Sequence, residues 1–352
     1  MRLEHDVPLA PWTTLGLGGS AARVATLTRE EDVPEALREA EAAGEPVLVL
    51  GGGSNVVIAD EGVRDALVLR VAMRGLSVEP HAGGVRFTVA AGEPWDDVVA
   101  HAVDSGHAGV ECLSGIPGLA GATPIQNVGA YGQEVADTIE SVRAYDRDAR
   151  AFVTLGPAAC AFGYRTSRLK TTDRFIVTAV TFSLPRSADS APIRYPELAR
   201  ALGVAEGAAA PLRTVRDVVL KLRRGKGMVV DPNDPESRSA GSFFINPILG
   251  DAALAQLEAR VAEAQVGPVP RFAAGDGRWK VPAAWLIERA GFTKGYGPGP
   301  VRVSARHTLA LVHAGGGSTR ELLALAREIQ RGVEARFGVT LTPEPVLVGC
   351  SL

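Results

Sequence analysis

Short apolar runs that alternate with a helical pattern predict a mixed α/β fold for the first third of the chain. Asp32 and Glu35 form a predicted capping box, which opens a helix that runs to about Gly44. Strands are predicted on either side of this helix, for residues 22–27, 46–50, 56–58 and 66–71. The middle of the chain adds strand patterns at residues 84–90 and 175–184.

The clearest helix lies near the C-terminus. Ser318 and Glu321 form a capping box, and Gly338 stands where this helix should end. Its apolar face consists of Leu322, Ala326, Ile329, Val333 and Phe337. A shorter helix is predicted for residues 282–290, and the tail after Gly338 should return as a strand.

Composition and charge narrow the function classes. The formal net charge is −3, which argues against a dedicated nucleic-acid or anionic-membrane binder. No apolar run reaches the length of a membrane helix, and the N-terminus lacks the apolar core of a secretory signal. Three distant cysteines indicate neither a disulfide framework nor a zinc site, and the histidines show no metal-binding spacing. We therefore expect a cytoplasmic protein without a metal.

Two glycine-rich segments are candidates for ligand binding. The first, GGGSN at residues 51–55, can form a nest of backbone N–H groups for an anion, although a tight turn between two strands is the preferred interpretation of three glycines alone. A Walker loop is absent. Gly16, Gly18 and Ala21 match GxGxxA, but a strand pattern rather than a helix follows them, so a Rossmann site is not predicted.

The second segment, residues 113–135, holds five glycines from Gly115 to Gly132 and no Lys or Arg. Its polar groups are amides, hydroxyls and bare backbone, which suit a large planar ligand with a pyrophosphate tail. A flavin dinucleotide fits that description. A purely structural loop is the alternative that composition leaves open.

Charged and hydroxyl residues in distinctive settings are the candidates for chemistry. Arg165 lies in FGYRTS, Ser242 and Asn246 lie in AGSFFINP, and Glu344 lies between two prolines. Taken one at a time, each is better interpreted as an ordinary surface or turn residue. No hydrolase motif of the GxSxG or HExxH type competes with them.

Taken together, these motifs resemble the UDP-N-acetylenolpyruvoylglucosamine reductase family, flavoenzymes of bacterial peptidoglycan precursor synthesis. The resemblance rests on GGGSN, SGIPGLAGATPIQNVGAYG, FGYRTS, AGSFFINP, AAWLIERAGFTKGY and PEP, which occur in the family's order over nearly the whole chain. Such a combination is far more specific than any one of its parts.

The resemblance implies an α+β and α/β architecture: a two-domain FAD-binding fold of the vanillyl-alcohol-oxidase (PCMH) type followed by an α/β substrate-binding domain. Its expected parts are residues 1–75 and 76–227 for FAD and residues 228–336 for the substrate. The C-terminal strand, within residues 337–352, is expected to return to the second part. The partners implied are the enolpyruvyl ether of UDP-N-acetylglucosamine and NADPH, with a monomer expected.

The resemblance also assigns site residues. Non-covalent FAD would be held by Gly51, Gly52, Gly53, Ser54, Asn55, Ser114, Ile116, Pro117, Gly118, Gly121, Ala122, Thr123, Gln126, Asn127, Gly129, Ala130 and Tyr131. The substrate would be contacted by Tyr131, Tyr164, Tyr195, Lys226, Asn246 and His307. Tyr195 matches the tyrosine on a substrate-capping loop found in one subgroup of the family, although it could equally anchor the helix that follows it.

Catalysis in the family implies a hydride transfer from flavin N5 to the β-carbon of the enolpyruvyl group. Arg165 would hold the substrate carboxylate, Glu344 would stabilise the enol-like intermediate, and Ser242 would protonate the α-carbon. One departure is Leu309, which stands where some members have a glutamine, with His307 as the nearby polar residue. The alternatives are another FAD oxidoreductase of the same fold and a non-catalytic sugar-nucleotide-binding protein.

Overall fold

The computed structural model describes residues 1–170 and 172–352, which form two compact units. Unit 1 comprises Met1–Val7, Ala21–Gly53 and Arg64–Gly225, and unit 2 comprises Pro8–Ser20, Ser54–Val63 and Lys226–Leu352. Both units are therefore discontinuous in sequence.

The secondary structure follows the apolar runs closely. In chain order, the strands are β1 (Arg2–Pro8), β2 (Ser20–Leu27), β3 (Val47–Leu50), β4 (Val56–Ile58), β5 (Val63–Val71), β6 (Leu76–His81), β7 (Gly84–Ala90), β8 (Gly129–Ala130), β9 (Gln133–Glu134), β10 (Ile139–Asp146), β11 (Ala151–Leu155), β12 (Phe175–Pro185), β13 (Ser239–Ser242), β14 (Ile248–Gly250), β15 (Phe272–Ala273), β16 (Arg278–Lys280), β17 (Val301–Val303), β18 (Ala310–His313) and β19 (Val346–Val348). The helices are α1 (Asp32–Ala43), α2 (Trp95–Asp104), α3 (Pro157–Cys160), α4 (Pro196–Leu202), α5 (Leu212–Gly225), α6 (Asp251–Ala264), α7 (Ala283–Arg289) and α8 (Thr319–Phe337).

Unit 1 contains two larger sheets, each with a helix against it. One sheet has the strand order β1-β2-β5-β3, and its Leu67 and Leu69 are buried with Val33 of α1. The other is antiparallel in the order β11-β10-β12-β7-β6, and it packs Phe87 and Phe182 in the same core as Trp95 of α2. Burying these large apolar side chains is the main source of stability for each layer.

Unit 2 is built around α8. The apolar face of this helix is buried in one core with α6, α7 and the sheet β13-β18-β17. The predicted capping box is confirmed, because Ser318 Oγ accepts from the Glu321 N–H and Glu321 accepts from the Ser318 N–H. Gly338 ends the helix in the left-handed conformation (φ 69°), also as predicted.

The C-terminal strand β19 pairs in parallel with β4, with Val346 opposite Val56. This pairing differs from the expected return to residues 76–227. A parallel partner distant in sequence leaves no local signal, because each strand by itself is only a short apolar run.

One local prediction is wrong. Asp32 does not cap α1 through a capping box with Glu35, since the cap residue is Glu31 and makes no side-chain cap. Instead the Asp32 carboxylate is fully buried and accepts from the N–H groups of Thr28 and Arg29 and from the N-terminal ammonium. The pattern correctly predicted where the helix starts, but it predicted the wrong hydrogen-bond donors for the Asp32 carboxylate.

Two class-level observations complete the fold. Within the described residues, no helix is long and apolar enough to cross a membrane. After Gly16 and Gly18 the chain enters strand β2, so the GxGxxA pattern lies outside a strand–turn–helix unit, as predicted.

Candidate functional site

The first glycine loop connects two strands that are not partners. β3 pairs with β5, whereas β4 pairs with β19, so GGGSN is not the turn of a hairpin. The loop is still a short turn between two successive strands, as three glycines alone predict. Gly53 takes φ 60°, which a glycine adopts without strain.

The two predicted ligand loops of unit 1 approach each other through bare backbone. A Cβ placed on Gly52 would lie 2.8 Å from the Cα of Gly118, closer than real Cβ contacts. Only glycine at position 52 permits this approach. The Leu119 side chain borders the same approach, with its Cγ 3.3 Å from that Cβ position. Closely converging main chain is the kind of cradle that suits a pyrophosphate, so these loops fit FAD.

The second loop is held by an ion pair that sequence reasoning missed. Asp96 Oδ1 accepts from the Gly115 N–H (2.6 Å) and from Arg216 Nη1 (2.6 Å). Burial alone would raise the pKa of Asp96, but the hydrogen bonds from Arg216 and Gly115 outweigh it and keep the pKa below its usual value. Asp96 is therefore charged at neutral pH and anchors the start of the SGIPG turn. No motif marks this pair, because its members are 120 residues apart.

Several side chains predicted to bind the cofactor donate their hydrogen bonds inside the protein. Ser114 Oγ donates to Glu111 O (2.6 Å), and Thr123 Oγ1 donates to Ala120 O (2.8 Å). The Asn127 amide donates to Glu134 (2.6 Å) and to Gly163 O (3.1 Å). All three predicted residues are buried, so they shape the loop from behind.

Arg165 lies at a tight turn of unit 1. Gly163 and Thr166 exchange backbone hydrogen bonds, and Arg165 between them has a left-handed φ of 55°. Its Nη2 donates to Gly129 O (2.8 Å), and its guanidinium stands 5.8 Å from the ring centre of Tyr164. Strained backbone of this kind concentrates at functional sites.

The same strain recurs at Asn127 (φ 48°) and Tyr131 (φ 51°), on the loop that Arg165 touches. The Tyr131 ring meets the Tyr195 ring edge-on, with 5.4 Å between centroids. Burial raises the pKa of Tyr131 to about 12 and also raises the pKa of Tyr195. Both phenols therefore stay protonated at neutral pH and can donate hydrogen bonds.

Arg223 on α5 is a second residue that sequence reasoning missed. Burial lowers the pKa of its guanidinium to about 10, partly offset by the neighbouring Tyr131 and Asp96, and it remains a cation at neutral pH. No motif in the sequence marks this position. Its guanidinium interacts electrostatically with Tyr131, Asp96 and Arg165.

In unit 2, backbone hydrogen bonds bring the strand of Ser242 against the segment of Glu344. Ser242 ends β13, and the next residue, Phe243, donates its N–H to Leu309 O (2.7 Å). The carbonyl of Phe243 accepts from the Glu344 N–H (2.9 Å), and the Asn55 amide donates to Glu344 O (3.3 Å). Two predicted catalytic residues and one predicted cofactor residue thus belong to a single local structure.

The remaining predicted substrate residues of unit 2 have different settings. Asn246 Oδ1 accepts from the Ala283 N–H (2.8 Å) at the start of α7. His307 is half-buried on a loop whose Ser304 hydroxyl and Ala305 N–H donate to the carboxylate of Glu236. Lys226 is half-buried directly after α5.

In the part of the chain that the structure describes, no group of three or more His, Cys, Asp or Glu side chains could hold a metal.

Comparison with known proteins gives consistent matches. A FAD binding domain family matches residues 21–154, and the C-terminal domain of UDP-N-acetylenolpyruvoylglucosamine reductase matches residues 233–348. Reductases of that name from Thermobifida fusca and Streptomyces coelicolor are 54% and 55% identical to this chain, over 99% of it and 98% and 91% of their own lengths.

Solved structures agree at the level of the fold. The UDP-N-acetylenolpyruvylglucosamine reductase of Thermus caldophilus covers 99% of both chains with a TM-score of 0.66 and 26% identity. A solvent-stable cholesterol oxidase, covering 97% of this chain and 86% of its own, has a TM-score of 0.50 at 13% identity and shares the fold alone.

Proposed function

This chain belongs to the UDP-N-acetylenolpyruvoylglucosamine reductase family, and on that premise we propose that it uses NADPH to reduce the enolpyruvyl ether of UDP-N-acetylglucosamine to UDP-N-acetylmuramate. It is a FAD-binding oxidoreductase of peptidoglycan precursor synthesis. The specific reductant, the residue roles and the division into domains 1–75, 76–227 and 228–336 are parts of the proposal.

The cofactor site we propose is formed mainly by backbone. The loops of Gly51–Gly53 and Gly118, whose backbones approach closely, would hold the pyrophosphate. The strained turn around Tyr131 would face the ring system. Bound FAD supplies a hydride to the enolpyruvyl β-carbon. Ser114, Thr123 and Asn127 are buried behind the loop, so we propose that they support its shape and do not contact FAD through their side chains.

Arg165, Ser242 and Glu344 carry the proposed chemistry on the substrate. When a hydride reaches the β-carbon, negative charge develops at the α-carbon and its carboxylate. The planar Arg165 guanidinium suits that carboxylate, and Glu344 would stabilise the enol form. Ser242 would donate its hydroxyl proton to the α-carbon, which is strongly basic at that stage.

The substrate contacts we propose lie at Tyr131, Tyr164, Tyr195, Lys226, Asn246 and His307. The protonated phenols of Tyr131 and Tyr195 can donate to phosphate or sugar oxygens, and Lys226 supplies a charge for the diphosphate. Asn246, whose Oδ1 accepts from the Ala283 N–H, carries an amide group that can hydrogen-bond to sugar oxygens. His307 stands next to the position where Leu309 offers only backbone.

The observation that carries the proposal is the junction of Ser242 and Glu344. Phe243, the residue after Ser242, bonds through its backbone to Leu309 and to Glu344, which connects the backbone of a proton donor to that of a carboxyl group. Preorganised groups are what a site acting on a developing charge needs.

The test follows the visible flavin absorbance under anaerobic conditions. NADPH should bleach the yellow protein, and the enolpyruvyl ether should restore the colour. A flavin that bleaches but ignores the enolpyruvyl ether would overturn the proposed substrate while leaving the family's fold intact. A flavin that NADPH fails to bleach would overturn the proposed reductant.

A further inference from the structure

Glu111 is a fully buried carboxylate that the proposed reaction does not use. Its Oε2 accepts from the Gly109 N–H (2.6 Å), and its Oε1 accepts from the Ala191 N–H (3.2 Å) and from Gln133 Nε2 (3.3 Å). Among the described residues, every donor to this carboxylate is thus an amide. Burying a polar group is costly unless hydrogen bonds satisfy it, and these three amides supply such bonds.

Two of the three amides around Glu111, those of Gln133 and Ala191, come from segments that carry proposed substrate residues, and the third is Gly109 of its own loop. Gln133 follows the GAYG turn of Tyr131, and its Oε1 accepts from the Cys112 N–H (2.9 Å). Ala191 lies four residues before Tyr195, in a segment that closes on itself where the Leu212 N–H donates to Ala188 O (3.0 Å). This segment, residues 188–212, is called the Tyr195 segment below.

Packing holds the Tyr195 segment against the turn only in part. The Tyr131 and Tyr195 rings touch edge-on, and a Cβ on Gly132 would lie 3.6 Å from Arg194 Cβ. Beside this contact lies a cavity of about 380 Å³, lined in part by Glu111, Tyr131, Gln133 and Arg194. Elsewhere Ile193 and Leu198 of the segment are buried in one core with Cys112. On the cavity side, where packing is missing, the hydrogen bonds to Glu111 connect the segment to the turn.

We propose that Glu111, acting with Gln133, is a positioning residue that holds the Tyr195 segment against the Tyr131 turn and so sets the affinity for the sugar-nucleotide substrate. The proposal rests on the function proposed above. Glu111 itself does not touch the substrate. Its carboxylate bonds to both segments through their amides, those of Ala191 and Gln133.

The first test is Glu111→Gln in the FAD-loaded enzyme. The amide has the same shape but only one acceptor oxygen, so at least one amide N–H faces another donor. We expect KM for the enolpyruvyl ether to rise about tenfold, which corresponds to about 1.4 kcal/mol. Flavin reduction by NADPH should stay within about twofold of wild type, since the turn keeps its own backbone contacts.

The matched control is Asp32→Asn, which neutralises another fully buried carboxylate of unit 1 with two backbone N–H donors. It should lower Tm and leave KM unchanged. An equal KM rise in both variants would overturn the positioning role, because general destabilisation would then explain it.

A second variant, Ala191→Pro, keeps the proposal testable if Glu111→Gln fails to fold. It deletes the one N–H that joins the Tyr195 segment to Glu111, at an exposed position. Trypsin should then cut after the exposed Arg194 about tenfold faster than in wild type. This readout does not depend on whether the variant turns over the substrate.

The two readouts separate the two proposals. An unchanged rate of trypsin cleavage in Ala191→Pro would show that Glu111 does not hold the Tyr195 segment, whatever the enzyme's substrate is. If Ala191→Pro is cleaved faster but the wild-type enzyme does not reduce the enolpyruvyl ether, the role of Glu111 in holding the segment stands and the proposed substrate is wrong.

Discussion

At the scale of single residues, Ser242 carries the sharpest prediction. Its hydroxyl is the proposed proton donor, and no second donor is proposed for the α-carbon. Ser242→Ala should therefore retain flavin reduction by NADPH and lower turnover of the enolpyruvyl ether at least about 100-fold. Stopped-flow measurement of the two half-reactions separates these effects.

Ser239 offers a matched control for this variant, since it lies on the same strand and its Oγ accepts only from the Gly241 N–H among its described contacts. Ser239→Ala should turn over within about threefold of wild type. Normal turnover by Ser242→Ala would remove Ser242 from the proposed chemistry.

Gly52 is the residue on which the proposed pyrophosphate cradle depends. An added methyl would stand 2.8 Å from Gly118 Cα, and backbone must move to accept it. Overpacking of this kind costs about 1–3 kcal/mol, so Gly52→Ala should weaken FAD binding about 5- to 150-fold. Flavin retained after gel filtration measures the effect.

Gly156 is the control for that substitution, because a Cβ there meets open space and its φ of −76° suits alanine. Gly156→Ala should retain all its flavin. Full retention by Gly52→Ala as well would show that the loops separate without cost and would contradict the cradle.

At the scale of elements, the strands and helices that the patterns predicted are present, whereas α2, α5, α6 and β10 were not predicted. β4 and β7 have the predicted bounds, and α8 has its predicted cap, apolar face and glycine end. The patterns failed where a side chain serves a distant group. Asp32 binds amides that precede its helix, and Asp96 binds Arg216 far along the chain. Local periodicity contains no information about such partners.

The loop that carries His307 yields a pH prediction. Burial would raise the pKa of Glu236, but hydrogen bonds from Ser304, Arg302 and Ala305 outweigh it and hold the pKa below its ordinary value of 4.5. A pKa lowered by folding stabilises the native state above the unfolded value, and that stabilisation is lost as pH falls through the folded value. Glu236 thus favours the folded state at neutral pH.

Glu236→Gln should accordingly lower the free energy of unfolding by about 1–3 kcal/mol at pH 7. The gap between variant and wild type should narrow as pH falls below 4.5. Urea unfolding at a series of pH values measures both. A gap that stays constant into acid would show that the carboxylate charge does not contribute.

At the scale of the whole molecule, the family and its FAD-binding fold could be recognised from the ordered set of motifs. Which segments of the chain form each unit could not be predicted in this way. Short pieces near residues 8–20 and 54–63 belong to unit 2, although they lie far from its main segment. Leu15, Leu17 and Val57 from these pieces are buried in the core around α8. Their own patterns are too short to reveal a partner 250 residues away or more.

This discontinuity predicts that residues 226–352 do not fold by themselves. The fragment would lose the parallel partner of β19 and three buried side chains, each worth about 1.5–3 kcal/mol when fully buried. It would also lose Asp60, whose carboxylate accepts from the Thr319 and Arg320 N–H groups at the start of α8. These losses rival the whole stability of a typical domain, which is about 5–15 kcal/mol.

Thermal unfolding followed by circular dichroism should show no cooperative transition for this fragment. A comparison fragment that fuses residues 8–20 and 54–63 to its N-terminus through flexible linkers restores the missing groups and should regain cooperativity. Cooperative unfolding of residues 226–352 alone would show that α8 and its sheets suffice as a core. In that case β4 and Asp60 would pack on unit 2 without being required for it to fold.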